Sequence, residues 1–130
     1  MCATFPTSAT NTAQHSPSIL CVDDSDEMLL ICRTVLEAAG YQVFTASGGG
    51  GALEFLQSHP VNAVVLDYVM PGMSGPELAI RIKRMSADVL VVMFSGSLRG
   101  DETFPFVDSC LPKGKGPLAL RKLLGLLLHQ

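Results

Sequence analysis

Five side chains in this sequence could do chemistry together. They are the acid pair Asp23 and Asp24, a third acid Asp67, the hydroxyl of Ser95 and the ammonium of Lys113. Each follows, or closes, a short apolar run. SILCV leads into Asp23-Asp24, VNAVVL into Asp67, DVLVVMF into Ser95, and VDSCL-Pro into Lys113. Three carboxylates crowded together repel one another unless a cation lies among them or some are protonated. A hard divalent ion such as Mg²⁺ suits them, because it takes a few carboxylates, keeps waters and leaves room for a phosphoryl oxygen. A hydroxyl and an ammonium opposite would contact the remaining oxygens of that group. Asp67 would then be the nucleophile that takes the phosphoryl group as an acyl phosphate.

That chemistry requires the runs to be neighbouring strands ending on one edge. The spacing predicts strands over 18–22, 41–46, 61–66, 88–94 and 107–111. Between them, helical periodicity carries Met28, Leu29, Ile31, Cys32, Val35, Leu36 and Ala39, with Ser25 or Asp24 as the cap and Gly40 as the stop. A second helix is expected from Ala52 to His59, after a Gly48–Gly51 loop and closed by Pro60. A third runs from Pro76 to Met85, and a last one from Pro117 to Leu128. Strands that are near-continuous apolar runs, alternating with helices, predict an α/β fold with a doubly wound parallel sheet covered on both faces. In such sheets ligands bind at the carboxyl ends of the strands, where the five polar groups fall.

The ordered motifs resemble the receiver domain of two-component response regulators. They are Asp23-Asp24, Asp67, Met70-Pro71-Gly72-Met73-Ser74-Gly75, Ser95-Gly96 and Leu111-Pro112-Lys113. The resemblance spans 18–129. It implies a flavodoxin-like five-stranded sheet in the order 2-1-3-4-5, and a chemotaxis-regulator-like, stand-alone switch. It further implies that Asp67 accepts a phosphoryl group from a histidine kinase or phosphotransfer protein. By the same resemblance Asp24, Asp67 and the backbone carbonyl of Val69 bind Mg²⁺, Asp23 acts largely through water, and Ser95 and Lys113 hold phosphoryl oxygens. The signal would pass by contact with a downstream protein that the sequence does not name. Such a domain is a phosphoacceptor that catalyses its own phosphoryl transfer and hydrolysis, not a conventional enzyme.

Three departures from the family pattern bear on output. Cys110 stands where members carry an aromatic residue that responds to the phosphorylated state, leaving Phe104 or Phe106 as substitutes. Gly114 replaces the proline after the lysine, which removes the residue that makes a cis bond cheap and predicts a looser loop. The stretch from Ser95 to Lys113 is short, so the helix between strands four and five, the family's fourth, is expected to be truncated or irregular. Ser74 in place of a common aspartate remains a fair helix cap.

Other readings fit parts of the sequence. A receiver-like scaffold that binds a partner without a working phospho-switch is favoured by the three departures. A flavin or nucleotide protein on the same fold is disfavoured, since Gly48–Gly51 matches neither G-x-x-x-x-G-K-[ST] nor G-x-G-x-x-G and the acids would repel phosphate. The net charge is −3 with no Lys/Arg cluster, so no nucleic-acid partner is expected. No apolar run approaches the roughly 18 residues of a membrane span. Residues 1–17 read as a disordered leader without a signal-peptide pattern, ahead of a domain over 18–130 in a cytoplasmic protein. The four cysteines lack metal spacing and read as reduced thiols. The dense terminal leucines read as core, with a monomer or weak homodimer expected.

Overall fold

The computed structural model describes residues 16–129; all but the last two positions of the expected leader lie outside them. The chain forms β1 (Ser18–Val22), α1 (Asp26–Ala38), β2 (Gln42–Ala46), α2 (Gly49–Leu56), β3 (Ala63–Leu66), α3 (Gly75–Met85), β4 (Leu90–Ser95), β5 (Ser109–Pro112) and α4 (Pro117–Leu128). A 3₁₀ turn, Lys113–Lys115, links β5 to α4. The sheet has five parallel strands in the order β2-β1-β3-β4-β5, the flavodoxin-like arrangement the motifs implied.

Both faces of the sheet are buried, which explains the unbroken apolar strands. Along β1, Leu20 and Val22 face one core while Ile19 and Cys21 face the other. The first core takes Ala52 from α2 and Leu78, Ala79 and Ile82 from α3. The second takes Leu29, Cys32 and Leu36 from α1 and Leu120 and Leu124 from α4. Leu36, Leu78, Leu120 and Leu124 are fully buried, each contributing about 2 kcal/mol by transfer from water.

Local signals place the ends. The Ser25 hydroxyl accepts from the Met28 N–H and caps α1. Gly40, at φ +99°, follows its last turn in a conformation that other residues adopt with strain. Ser74 caps α3 by accepting from the Glu77 N–H at 3.3 Å.

The structure corrects several boundaries. Gly49, Gly50 and Gly51 are not loop but the first turn of α2, with Gly48 as its cap. Glycine is a poor helix former, by about 1 kcal/mol against alanine. Here packing overrides propensity: Ala52 is fully buried, and Leu53, Phe55 and Leu56 lie against the first core. Strand five is Ser109–Pro112 rather than 107–111, because Val107 closes the preceding turn and Asp108 is the irregular residue that leads into the strand. The Val107 N–H donates to the Phe104 carbonyl at 3.2 Å, and the Asp108 N–H donates to the Val91 carbonyl at 2.8 Å.

Between β4 and β5 the expected truncation is complete. Residues 96–108 run as turns and irregular chain. Leu98, buried, and Phe104 and Val107, half-buried, cover the part of the first core that a helix would otherwise cover. Asp108 anchors the end of the segment, its carboxylate accepting from the Val91 N–H at 2.8 Å and from Lys83 at 2.9 Å.

Candidate functional site

Register brings the acids together. Val22 of β1 pairs with Leu66 of β3, so the next residues, Asp23 and Asp67, emerge side by side. Leu66 pairs in turn with Met93 of β4, and Ser95 with Pro112 of β5. Ser95 therefore closes β4, and Lys113 leaves β5, on the same edge. Asp23, Asp67 and Ser95 are the buried polar residues there, at 5%, 8% and 1% exposure. Asp24 is exposed. Carboxylate oxygens of Asp23, Asp24 and Asp67 all lie within 4.8 Å of one another.

Lys113 reaches into this cluster. Its Nζ donates to Asp23 Oδ2 at 2.7 Å and to Asp67 Oδ2 at 3.2 Å. Burial pulls the ammonium's pKa down, but the hydrogen bond and charge of Asp23, followed by those of Asp67, outweigh it and hold the group above the ordinary lysine value. The other oxygens of the two acids are held by backbone. Asp23 Oδ1 accepts from the Ser25 N–H at 2.9 Å, and Asp67 Oδ1 from the Tyr68 N–H at 2.7 Å. Among the described residues, no buried side-chain nitrogen or oxygen lacks a hydrogen-bond partner.

Ser95 Oγ accepts from the Ser97 N–H at 3.3 Å, which fixes the first turn after β4. Val69 lies two residues after Asp67 in the following turn and is exposed. Gly114 sits within the 3₁₀ turn, which the Gly116 N–H closes onto the Lys113 carbonyl at 2.9 Å. Cys110 pairs with Met93 and is half-buried against the first core. Its thiol is pushed up by burial, with Glu102 adding to the effect.

Two contributors have roles that sequence reasoning did not assign. A Cβ on Gly75 would land on the Asp67 carbonyl oxygen, so the second glycine of the turn permits α3 to start against the acid's own backbone. The repeated glycine in Met-Pro-Gly-Met-Ser-Gly was the available signal. The role of Tyr68 was also missed, and no pattern in the sequence marks a neighbour that contributes through its N–H.

Oxygen-only donors this close suit a hard cation. Among the described residues no helix is long and apolar enough to cross a membrane.

Comparison with known proteins agrees with this geometry. The family described as "Response regulator receiver domain" matches residues 19–108, stopping short of Lys113. The transcriptional regulatory protein KdpE of Mycobacterium tuberculosis is 39% identical over 89 residues, covering 68% of this chain and 32% of KdpE. The virulence sensor protein BvgS of Bordetella pertussis is 34% identical over 122 residues, covering 85% of this chain and 10% of BvgS. This chain thus spans a third or less of either relative. Among solved structures, the response regulator TrrA of Thermotoga maritima, in complex with Mg(2+)-BeF, superposes with a TM-score of 0.78 at 28% identity, covering 85% of this chain and 98% of TrrA.

Proposed function

The chain belongs to the response regulator receiver domain family, and from that premise we propose that it is a phospho-switch in which Asp67 accepts a phosphoryl group from a phosphohistidine. The donor is a histidine kinase or a phosphotransfer protein in the cytoplasm. The observation that carries this reading is the cluster itself: three carboxylates within 4.8 Å, two of them bound by one lysine.

In the transfer, an Asp67 carboxylate oxygen attacks phosphorus. The phosphorus–nitrogen bond breaks, the imidazole leaves with the electron pair, and an acyl phosphate remains on Asp67. Lys113 is within reach to exchange its bond to Asp67 for one to a phosphoryl oxygen. The Ser95 hydroxyl, at the end of β4, would donate to another. The Tyr68 N–H holds the carboxylate in one orientation for attack. The donor set of Asp23, Asp24 and Asp67 fits Mg²⁺; Asp24, Asp67 and the Val69 carbonyl would hold it directly, and Asp23 would act largely through water. When bound, the ion supplies positive charge against the phosphoryl oxygens. Return to the resting state is hydrolysis of the acyl phosphate, so the protein turns over its own modification and signals by protein contact.

A second reading, a partner-binding scaffold without a working switch, is favoured by Cys110 in β5 and by the irregular 96–108 segment. Intact mass after incubation with acetyl phosphate and Mg²⁺ separates the two. The switch reading expects one added phosphoryl group, absent with EDTA and absent in Asp67→Asn. An unmodified mass under all conditions, with Mg²⁺ bound and rapid hydrolysis excluded by quenched sampling, favours the scaffold.

A further inference from the structure

Asp67 is tied to the irregular segment by a short chain of contacts. The Tyr68 N–H donates to Asp67 Oδ1 at 2.7 Å. The Tyr68 ring packs on Phe104, with centroids 5.3 Å apart and planes tilted by 35°, a favourable aromatic geometry. Phe104 accepts the Val107 N–H at 3.2 Å, closing a turn over Pro105 and Phe106. Phe106 holds φ +67° and is 57% exposed. Proline followed by a positive φ is the type II turn pattern, which favours glycine or asparagine in the second place. A phenylalanine there is strained and displayed to solvent. Beyond the turn, Asp108 pins the chain to β4 and Lys83, so movement of the turn is confined between fixed ends.

We propose that the Tyr68–Phe104 pair carries the state of Asp67 to the exposed Phe106 turn. The proposal rests on the phosphoacceptor reading of Asp67. It gives these two rings the reporting task that half-buried Cys110, without an aromatic ring, does not perform. The physical link is the carboxylate bond. In the resting protein, Tyr68 N–H donates to a charged oxygen, which makes the bond strong. In the acyl phosphate, that carboxylate becomes a neutral carbonyl and a bridging anhydride oxygen, and the charge moves out onto the phosphoryl oxygens. The hold on Tyr68 weakens, and the ring resting on Phe104 is released to shift. Such a link counts as coupling only if an element with two arrangements responds; the strained turn is that element.

The chain's composition provides the test. It contains no tryptophan and two tyrosines. Tyr41 lies in the opposite core, so Tyr41→Phe leaves Tyr68 as the sole emitter. That variant is phosphorylated with acetyl phosphate and Mg²⁺, Asp67 attacking phosphorus and acetate leaving. Intact mass gives the modified fraction while tyrosine emission is followed. The expected result is an emission change proportional to the modified fraction, reduced at least twofold when Phe104→Leu is added although the mass adduct still forms. A second measurement needs no substitution: amide hydrogen exchange over 97–107 rises on phosphorylation of the natural chain. An adduct with unchanged emission, an equal change in Phe104→Leu, or unchanged exchange overturns the proposal while leaving Asp67 as phosphoacceptor. No adduct in any variant overturns the Asp67 reading and this proposal with it.

Discussion

Lys113 stands where a cation is needed between two buried acids, and this sets its energetics. Losing it leaves Asp23 and Asp67 buried without their counter-charge. Breaking a fully buried pair costs about 3–5 kcal/mol; partial solvent access at Lys113 lowers this to about 2 kcal/mol. Lys113→Met is therefore predicted to lower the unfolding free energy by that amount in Mg²⁺-free buffer, measured by urea denaturation, and to bind Mg²⁺ several-fold more tightly by calorimetry. Equal Mg²⁺ affinity in the two proteins would contradict the competition. The pH dependence has a definite sign. The folded value of Lys113 lies above its ordinary 10.5, so its contribution is complete below 10.5 and is lost as pH climbs through the higher folded value. The difference between natural and Lys113→Met chains should stay flat across neutral pH and shrink only in strong alkali. The acids, Ser95 and Lys113 were legible in the sequence because apolar strands end at them. The Lys113 bonds to Asp23 and Asp67 were not, since residues 90 and 46 positions apart meet only through the strand order.

At the scale of elements, the turn between β3 and α3 sets where Asp67 points. The Gly75 N–H donates to the Tyr68 carbonyl at 2.9 Å, and any Cβ at 75 collides with the Asp67 carbonyl oxygen. Relief requires the backbone of the acid to move. Gly75→Ala is predicted to cost about 1–3 kcal/mol, as overpacking does. It should also slow phosphorylation from acetyl phosphate at least tenfold, measured as rates of adduct formation. An unchanged rate would mean that Asp67 tolerates displacement. Helix α2 shows the limit of local reading. Three glycines read as loop, yet buried Ala52 and its apolar neighbours draw them into a helix whose cap is glycine too. The helix missing between β4 and β5 was legible from chain length and from Gly100 and Pro105. Its replacement by Leu98, Phe104 and Val107 packing against the core was not, because these apolar residues carry no periodicity.

Over the whole molecule, a parallel sheet followed from unbroken apolar strands alternating with helices, its strand order came with the family resemblance, and the parallel strands put the polar endings of β1, β3, β4 and β5 on one edge. Three of the five site residues are buried there among hydrophobic neighbours, an arrangement costly unless the groups are used or paired. Lys113 and backbone N–H groups pair them at rest, and a phosphoryl group with Mg²⁺ would pair them in the other state. The central claim is that Asp67, rather than Asp23 or Asp24, carries that group. The direct measurement is to phosphorylate the natural chain with acetyl phosphate and Mg²⁺, reduce the acyl phosphate with borohydride, and map the peptides by mass. The account predicts homoserine at position 67 with positions 23 and 24 unchanged. Homoserine at 23 or 24, or at no aspartate although the intact protein had gained a phosphoryl mass, would contradict it.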